Sequence, residues 1–501
     1  MNTLAQRACH AIVAFGCTAA FLATPATDAQ SARWVATGPL NVPRYAHTAT
    51  LLADGNVLVV GGSGPDGALA SAERYDPVTG KWRVVASPAV ARNHLTATLL
   101  FDGNVLVVGG SERPEIYDPV ADTWSMTAGT VEPHFSHTAT RLASGKVLVV
   151  GGTGDFSVPS VPFTAELYDP ATGQWAAAGN PRWARIQHTA TLLVNGTVLV
   201  AGGISNNDYE DGELPDPQNA EIYDPATNSW REVGMPLRTD GHTATLLANG
   251  KVLVVGGTGF LIAGPAQLFD TTSETWRDLG PLNAERLNHT ATLLSSGKVL
   301  LAGSGALRGT GVSTAVETYD PATERFASTA SLGVGRQSHT ATLLANGNVL
   351  VAGGMGHAGD GFAVRGTAEL HVPPFEIGAG MSGAWYDPAQ SGHGLFIEVL
   401  RDNRLLAGWF AFNPVGTAQA WFVGVGTYSG DTATITSVDM PTGGTWIPNF
   451  DPSSVVHNAW GALTLRFTDC NHGTVSFNSP SFGVGTMSLT RLTQPLGSSC
   501  P

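Results

Sequence analysis

A nineteen-residue phrase, RYAHTATLLADGNVLVVGG at residues 44–62, returns six more times along this 501-residue chain with small edits. Recurrence at a period of roughly 50 residues means that the chain stacks copies of one supersecondary unit, because a single copy cannot bury its own apolar faces. Within the phrase, HTATLL alternates small or polar with apolar residues, ADGN offers an Asp-Gly turn, and VLVVGG is a continuous apolar run ending in a glycine pair. That pattern predicts a tight β-hairpin, the Asp-Gly dipeptide favouring a two-residue connection. The later copies keep the turn chemistry: FDGN at 101, ASGK at 143, VNGT at 194, ANGK at 248, SSGK at 295 and ANGN at 345. A strand apolar on both faces must be covered on both, as when sheets pack radially against neighbouring sheets.

After a loop of variable length, each copy adds a third strand ending in Tyr-Asp-Pro or a variant, a short turn, and an aromatic residue that opens a fourth strand. The aromatic pairs are Tyr75 and Trp82, Tyr117 and Trp124, Tyr168 and Trp175, Tyr223 and Trp230, Phe269 and Trp276, and Tyr319 and Phe326. Their spacing is constant, whereas the loop between the glycine pair and the third strand varies widely. Gly-Gly, then Tyr, then Trp at this period resembles the kelch pattern, which implies an all-β fold with a seven-bladed kelch-type β-propeller over residues 31–374. A WD40 reading fails because no Trp-Asp pair closes the repeats, and no stretch carries a helical period. The seventh copy ends at AELHVPP without a closing aromatic, and RWVATGPL at 33–40 supplies the missing strand, with Trp34 in the role of Trp82. The last blade is therefore expected to be built from both ends of the propeller.

Residues 1–29 read as a signal peptide: Arg7 lies in a short polar start, an apolar run extends from about Ala11 to Ala23, and small residues precede a cleavage site near Ala29. Acylation of Cys17 is the alternative, but AFGC lacks the usual aliphatic residue three positions earlier. The apolar run is shorter than the roughly 20 residues a spanning helix needs, so no membrane span is expected, and the protein is placed in the periplasm or outside the cell. A formal net charge of -14 excludes the basic footprint of a nucleic-acid partner. Of four cysteines, Cys9 and Cys17 leave with the signal, and Cys470 and Cys500 remain to form one disulfide in an oxidising compartment.

Past Pro374 the repeat stops and FEIGAGMSG reads as a linker. Residues 378–501 are dense in tryptophan and contain strand-like segments, GLFIEVL, LLAGWFAF, QAWFVGVGTY, TATITSV and ALTLRF, which predict a small antiparallel all-β domain. The run GAWYDPAQSGHGLFIEVL followed by AGWFAFNPVGTAQAWFVG resembles a module of exported bacterial proteins to which no activity is attached. Its tryptophans, Trp385, Trp409, Trp421, Trp446 and Trp460, either fill a core or offer rings on which sugars stack.

The kelch resemblance extends to the galactose oxidase and glyoxal oxidase group, which implies copper-radical chemistry built on a Cys cross-linked to a Tyr. Residues 31–374 contain no cysteine, so that cofactor is not expected, and neither is any other. A sialic acid mutarotase on a kelch propeller supplies a second enzyme precedent, for which no residue pattern stands out. No catalytic residue and no metal ligand set is assigned. His47, His137, His188, His242, His289 and His339 recur at the start of the first strand, with Leu95 replacing one and His94 just before it. Spread around a wide channel they suit bonds between blades better than a metal site, which gathers ligands at about 2 Å from one ion. The acidic loop NNDYEDGELPD at 206–216 lacks EF-hand spacing.

Arginines recur four residues before the Thr of TAT: Arg44, Arg92, Arg185, Arg286 and Arg336, with His134 in copy three and Thr239 in copy five. Two roles are open. As ion-pair partners they would face Glu73, Glu115, Glu166, Glu221, Glu317 and Glu369, and copy five, which has Gln267 in place of Glu, loses both partners together. As ligand contacts their guanidinium forks would take anionic or hydroxyl-rich groups. The segment before HTAT and the variable loop after Gly-Gly must share one rim, which also carries the channel mouth. The sequence thus predicts a binding protein for a glycan or protein ligand on that rim; the alternative is a carbohydrate-active enzyme without the Tyr-Cys copper cofactor.

Overall fold

The computed structural model describes residues 32–111, 113–130, 134–152, 164–204, 219–235, 239–259, 262–305, 311–358, 361–390, 392–412, 419–443 and 451–493. The expected signal peptide at 1–29, the acidic loop at 206–216, Trp446 and Cys500 lie outside these residues. No helix in them is long and apolar enough to cross a membrane.

Seven four-stranded antiparallel sheets form a β-propeller. In the first blade the strands are Thr48–Leu51, Val57–Val60, Ala72–Asp76 and Lys81–Val85, hydrogen-bonded in that order. The second strand carries the stability of each unit, since Val57, Leu58, Val59 and Val60 are all 0% exposed. Its two faces feed two different clusters. Leu58 and Val60 pack with Val105, Val107 and Tyr117 of the second blade, and Val57 and Val59 pack with Leu344, Leu350 and Ala352 of the seventh. This sharing explains why the sequence needs apolar residues at every position of the strand.

Each Tyr and Trp pair stacks at the outer edge, with ring centroids 5.0 Å apart for Tyr75 and Trp82. The indole then reaches the neighbouring blade, Trp82 Nε1 donating to Gly38 O at 2.7 Å and Trp124 Nε1 to Ala86 O at 2.7 Å. Closure follows the sequence expectation. Arg33–Thr37 pairs antiparallel with Ala368–Val372, placing Trp34 opposite His371, and Trp34 Nε1 donates to Ala330 O at 2.7 Å.

The repeated hairpin connection differs from the two-residue turn that Asp-Gly suggests. Leu51 pairs with Val57, Leu52 N–H donates to Asn56 O at 2.8 Å, and Gly55 N–H donates to Leu52 O at 3.0 Å, leaving three residues between the closing pair. Gly55 has φ 83°, and Asp54 accepts the Asn56 N–H at 3.1 Å. The glycine thus serves as the left-handed residue ending a three-residue loop, and the Asp side chain pins the residue beyond it.

The C-terminal region is a closed antiparallel barrel of eight strands running from Gly383–Tyr386 to Gly483–Arg491, with Trp385 opposite Arg491 at the closure. Strand Arg404–Phe412 alternates inward and outward, as period-two geometry requires. Trp385, Trp409 and Trp460 fill the core, 1%, 5% and 3% exposed, whereas Trp421 stands 52% exposed outside, edge-on to Phe410 at 4.0 Å. The presumed linker belongs to the barrel as well: Ile377 N–H donates to Gly430 O at 2.7 Å, and Ile377 and Met381 sit in the barrel core. Apolar side chains at those two positions, missed in a Gly-rich stretch, anchor it.

Candidate functional site: the loop-bearing rim

The segments entering each first strand and the loops after each glycine pair meet on one rim, joined by bridges such as Tyr45 to Ser63, Ile186 to Ile204 and Gln337 to Met355. The recurring arginines lie beneath this surface. Arg44, Arg92, Arg185 and Arg336 are 0% exposed and Arg286 is 1% exposed. Each guanidinium is paired with a glutamate of the third strand, two residues before the Tyr or, in the seventh blade, His371: Arg44 with Glu73 at 2.8 Å, Arg92 with Glu115 at 2.7 Å, Arg185 with Glu221 at 2.8 Å, Arg286 with Glu317 at 2.7 Å and Arg336 with Glu369 at 2.6 Å. The ion-pair role is the one the geometry takes, and the direct ligand-contact role gives way to it because no guanidinium reaches the open rim.

A second bond completes each clip. Arg44, Arg92, Arg185, Arg286 and Arg336 all donate through Nη1 to the carbonyl of the residue seventeen further on, the glycine that ends the second strand and opens the glycine pair (Gly303 before Ser304 in the sixth blade), at 2.8–3.0 Å. Blades lacking the arginine keep the bond by other means. His134 reaches Gly151 O at 2.6 Å through Nδ1 and Glu166 at 3.1 Å through Nε2, and Thr239 donates to Gly256 O at 2.6 Å. His134, 2% exposed, is therefore a structural substitute for arginine and not a ligand contact. The glutamates also accept backbone N–H groups of the incoming chain, Glu73 from Asn41 and Val42 and Glu369 from Gly333. Each clip thus fixes the connector from one blade against the third strand of the next.

The glycine pair is equally constrained. Gly61 and Gly62 have φ 61° and 89°, and a Cβ on Gly62 would lie 2.5 Å from Tyr45 O. Gly62 N–H donates to Arg92 O of the following blade at 2.8 Å, and Gly354 N–H to Arg44 O at 2.8 Å across the closure.

The histidines form a second interblade ring. His47 Nε2 meets Thr340 Oγ1 at 3.0 Å, and His137, His188, His242, His289 and His339 meet Thr96, Thr138, Thr189, Thr243 and Thr290 at 2.8–3.0 Å. Leu95 breaks the series. Thr48, which a histidine there would reach, accordingly has a buried Oγ1 without a hydrogen-bond partner among the described residues. Burial, assisted by the nearby arginine, pushes His47, His188 and His339 down to about 3; burial also takes His242 to about 4. These rings are neutral throughout the physiological range. Among the described residues no three His, Cys, Asp or Glu gather as a metal site.

One feature of the rim escaped the sequence reading. Immediately before each of these positions lies a left-handed residue: Ala46, His94, Ser136, Gln187, Gly241, Asn288 and Ser338, with φ between 49° and 64°. Their backbones bond head to tail around the channel mouth. Ser136 N–H donates to His94 O, Gln187 to Ser136, Gly241 to Gln187, Asn288 to Gly241, Ser338 to Asn288 and Ala46 to Ser338. His94, Gln187 and Asn288 are exposed there. The residue types vary from blade to blade, so no motif appears; the available signal was the preference of Gly, Asn and His for positive φ at Gly241, Asn288 and His94.

Residues 44–89 match the family described as the Kelch motif. The chain is 31% identical over 124 residues to Kelch-like protein 36 of Rattus norvegicus, covering 24% of this chain and 19% of that one. It is 24% identical over 128 residues to Kelch repeat and BTB domain-containing protein 12 of Danio rerio, covering 22% and 20%. These matches span about a fifth of the length of either relative. The structure is similar to that of a fungal alcohol oxidase of the AA5 family in complex with copper, with a TM-score of 0.57 and 16% identity over 92% of this chain and 100% of that one. The structure is a seven-bladed β-propeller whose first repeat matches the Kelch motif, and it shares its fold with the fungal oxidase.

Proposed function

We propose that this is an exported binding protein whose loop-bearing rim recognises a glycan or protein ligand at the channel mouth. One observation carries the reading: the clips, glycine pairs and left-handed ring hold a constant frame, on which the loops and the exposed His94, Gln187 and Asn288 side chains are the variable part. Rigid frames presenting variable loops suit recognition. The exposed mouth groups hydrogen-bond without carrying fixed charge, which favours polar, uncharged ligand surfaces. Export rests on the leader at 1–29, and pairing of Cys470 with Cys500 is part of the same proposal.

The enzyme alternative draws on the likeness to the copper-containing alcohol oxidase. The Tyr-Cys cofactor does not fit this chain, because residues 31–374 contain no cysteine, and no step is derived through it. Glycan-array and secreted-protein-array binding, run beside an alcohol and sugar turnover assay, separates the two. For a binder, Gln187→Ala should weaken a retained ligand by about 1 kcal/mol, roughly fivefold, with an unchanged melt. Turnover without retained ligand would replace this reading with the enzyme one.

A further inference from the structure

The outside of the C-terminal barrel is divided into two unlike halves. Along the strands from Thr432 to Arg491, small hydroxyl residues recur at the outward positions, as at Thr434, Thr464, Ser476 and Ser488. Along the strands Gly394–Leu400, Arg404–Phe412 and Gln419–Ser429 the outward positions hold Phe396, Phe410, Phe412, Trp421, Val423 and Val425, all exposed. The barrel is closed and its core is filled from within, so folding does not call for these side chains. Single exposed apolar residues are ordinary, whereas a contiguous group of them marks a contact surface.

Strand register sets the relief of this surface. Tyr386, Gly394, Phe410 and Trp421 stand side by side in one row across the sheet, and Ala384, Phe396, Gly408 and Val423 in the next. At roughly 4.8 Å between strands, each row spans about 14 Å. Rings thus alternate with positions that have no side chain. A Cβ on Gly408 would meet nothing nearer than Phe396 O at 4.0 Å, so the hollow there is open, with Phe396, Phe410 and Val423 around it. Phe410 and Trp421 brace each other at an interplanar angle of 78°, which fixes both rings while Trp421 stays 52% exposed.

Neither row carries a charge. Asp439, beside Val423, is paired with His457. The chain as a whole has a net charge of -14, which repels acidic polymers, anionic lipid surfaces and a second copy of itself at long range, and this face offers them no counter-charge. Fixed rings beside an open hollow on a neutral surface fit a flat, uncharged ring with C–H groups on its face and hydroxyls on its edge, which describes a pyranose. Groups able to hydrogen-bond the hydroxyls flank the rings: the Tyr386 phenol at one end of the first row, and the exposed Gln419 amide opposite Phe412.

We propose that this face of the barrel is a second binding site, which takes a linear uncharged polysaccharide with its sugar rings stacked on Trp421, Phe410 and Phe396 and one of them seated over Gly408. The site is separate from the loop-bearing rim and does not depend on what that rim recognises.

The test is retention of the full mature protein by neutral polysaccharides, with co-sedimentation on cellulose, chitin and starch and affinity electrophoresis in galactomannan. At least one should retain it. Trp421→Ala changes a side chain outside the core, and Gly408→Val fills the hollow where the backbone has room for a Cβ. Each should weaken retention roughly tenfold, while Thr464→Ala on the hydroxyl-bearing half leaves it unchanged. If Gly408→Val alters the melt, Trp421→Ala decides alone. No retention by any of the four polymers, or retention unaltered in Trp421→Ala, overturns the proposal. So does a wild-type protein that sediments as a dimer beside a monomeric Trp421→Ala variant, because the face is then covered by a second copy.

Discussion

Lowering the pH from 7.5 to 5 should remove much of the propeller's stability through its histidine ring. In four of the six rings, His47, His188, His339 and His242, burial lowers the folded-state value to about 3 or about 4, against about 6.5 in an unfolded chain. A base held neutral by burial contributes fully above the unfolded value, and that contribution falls as pH drops below it, because only the unfolded chain gains the proton. At pH 5 each ring costs about 2 kcal/mol of stability, so the four cost about 8 kcal/mol, which rivals the roughly 5–15 kcal/mol of a whole domain. His137 and His289, also held well below the ordinary value by burial, act in the same direction. Urea unfolding at pH 7.5, 6.0 and 5.0 should show stability falling with a slope of at least about 5 kcal/mol per pH unit around pH 5, corresponding to uptake of four or more protons. The interval from 6.5 to 5 lies above the titration of ordinary carboxylates, so they contribute little there. Stability that stays level within about 1 kcal/mol across this range would refute the reasoning.

Arg185→Ala and Arg286→Ala should each destabilise the protein by about 3–5 kcal/mol, since each leaves a buried glutamate without its cation; a melt within a degree of wild type would show that the clips carry nothing. Arg185→Met combined with Glu221→Leu should recover most of that loss, because the pair is replaced and not broken. Removing residues 31–38 takes away the closing strand and the Trp34 bond to Ala330, and should lower the melting temperature sharply, which differential scanning calorimetry would detect.

The fold was legible because its determinants are local and repeated. The glycine pair, the Tyr and Trp spacing and the uniformly apolar second strand each imply one geometry, and seven copies remove ambiguity. The Arg and Glu clips were legible as a pairing through the joint loss at Thr239 and Gln267, yet sequence could not say that burial would be complete. That depends on connectors such as Asn41 and Val42 folding over Glu73. The left-handed ring was hidden because it is a backbone feature indifferent to side-chain identity. In the barrel, density of tryptophan did not reveal which rings face inward; the register that buries Trp409 and exposes Trp421 follows from strand pairing.

The pairing of Arg33 with Val372 makes the propeller topologically a loop whose start and finish are hydrogen-bonded neighbours. Such a disc has no privileged opening. Its ends could be joined by a short linker and the chain reopened at an exposed turn such as Asn249 and Gly250, giving the same seven blades in a different order. It also means that whatever precedes Arg33 and the barrel that follows Val372 hang from one corner of the disc, leaving the opposite rim clear of both.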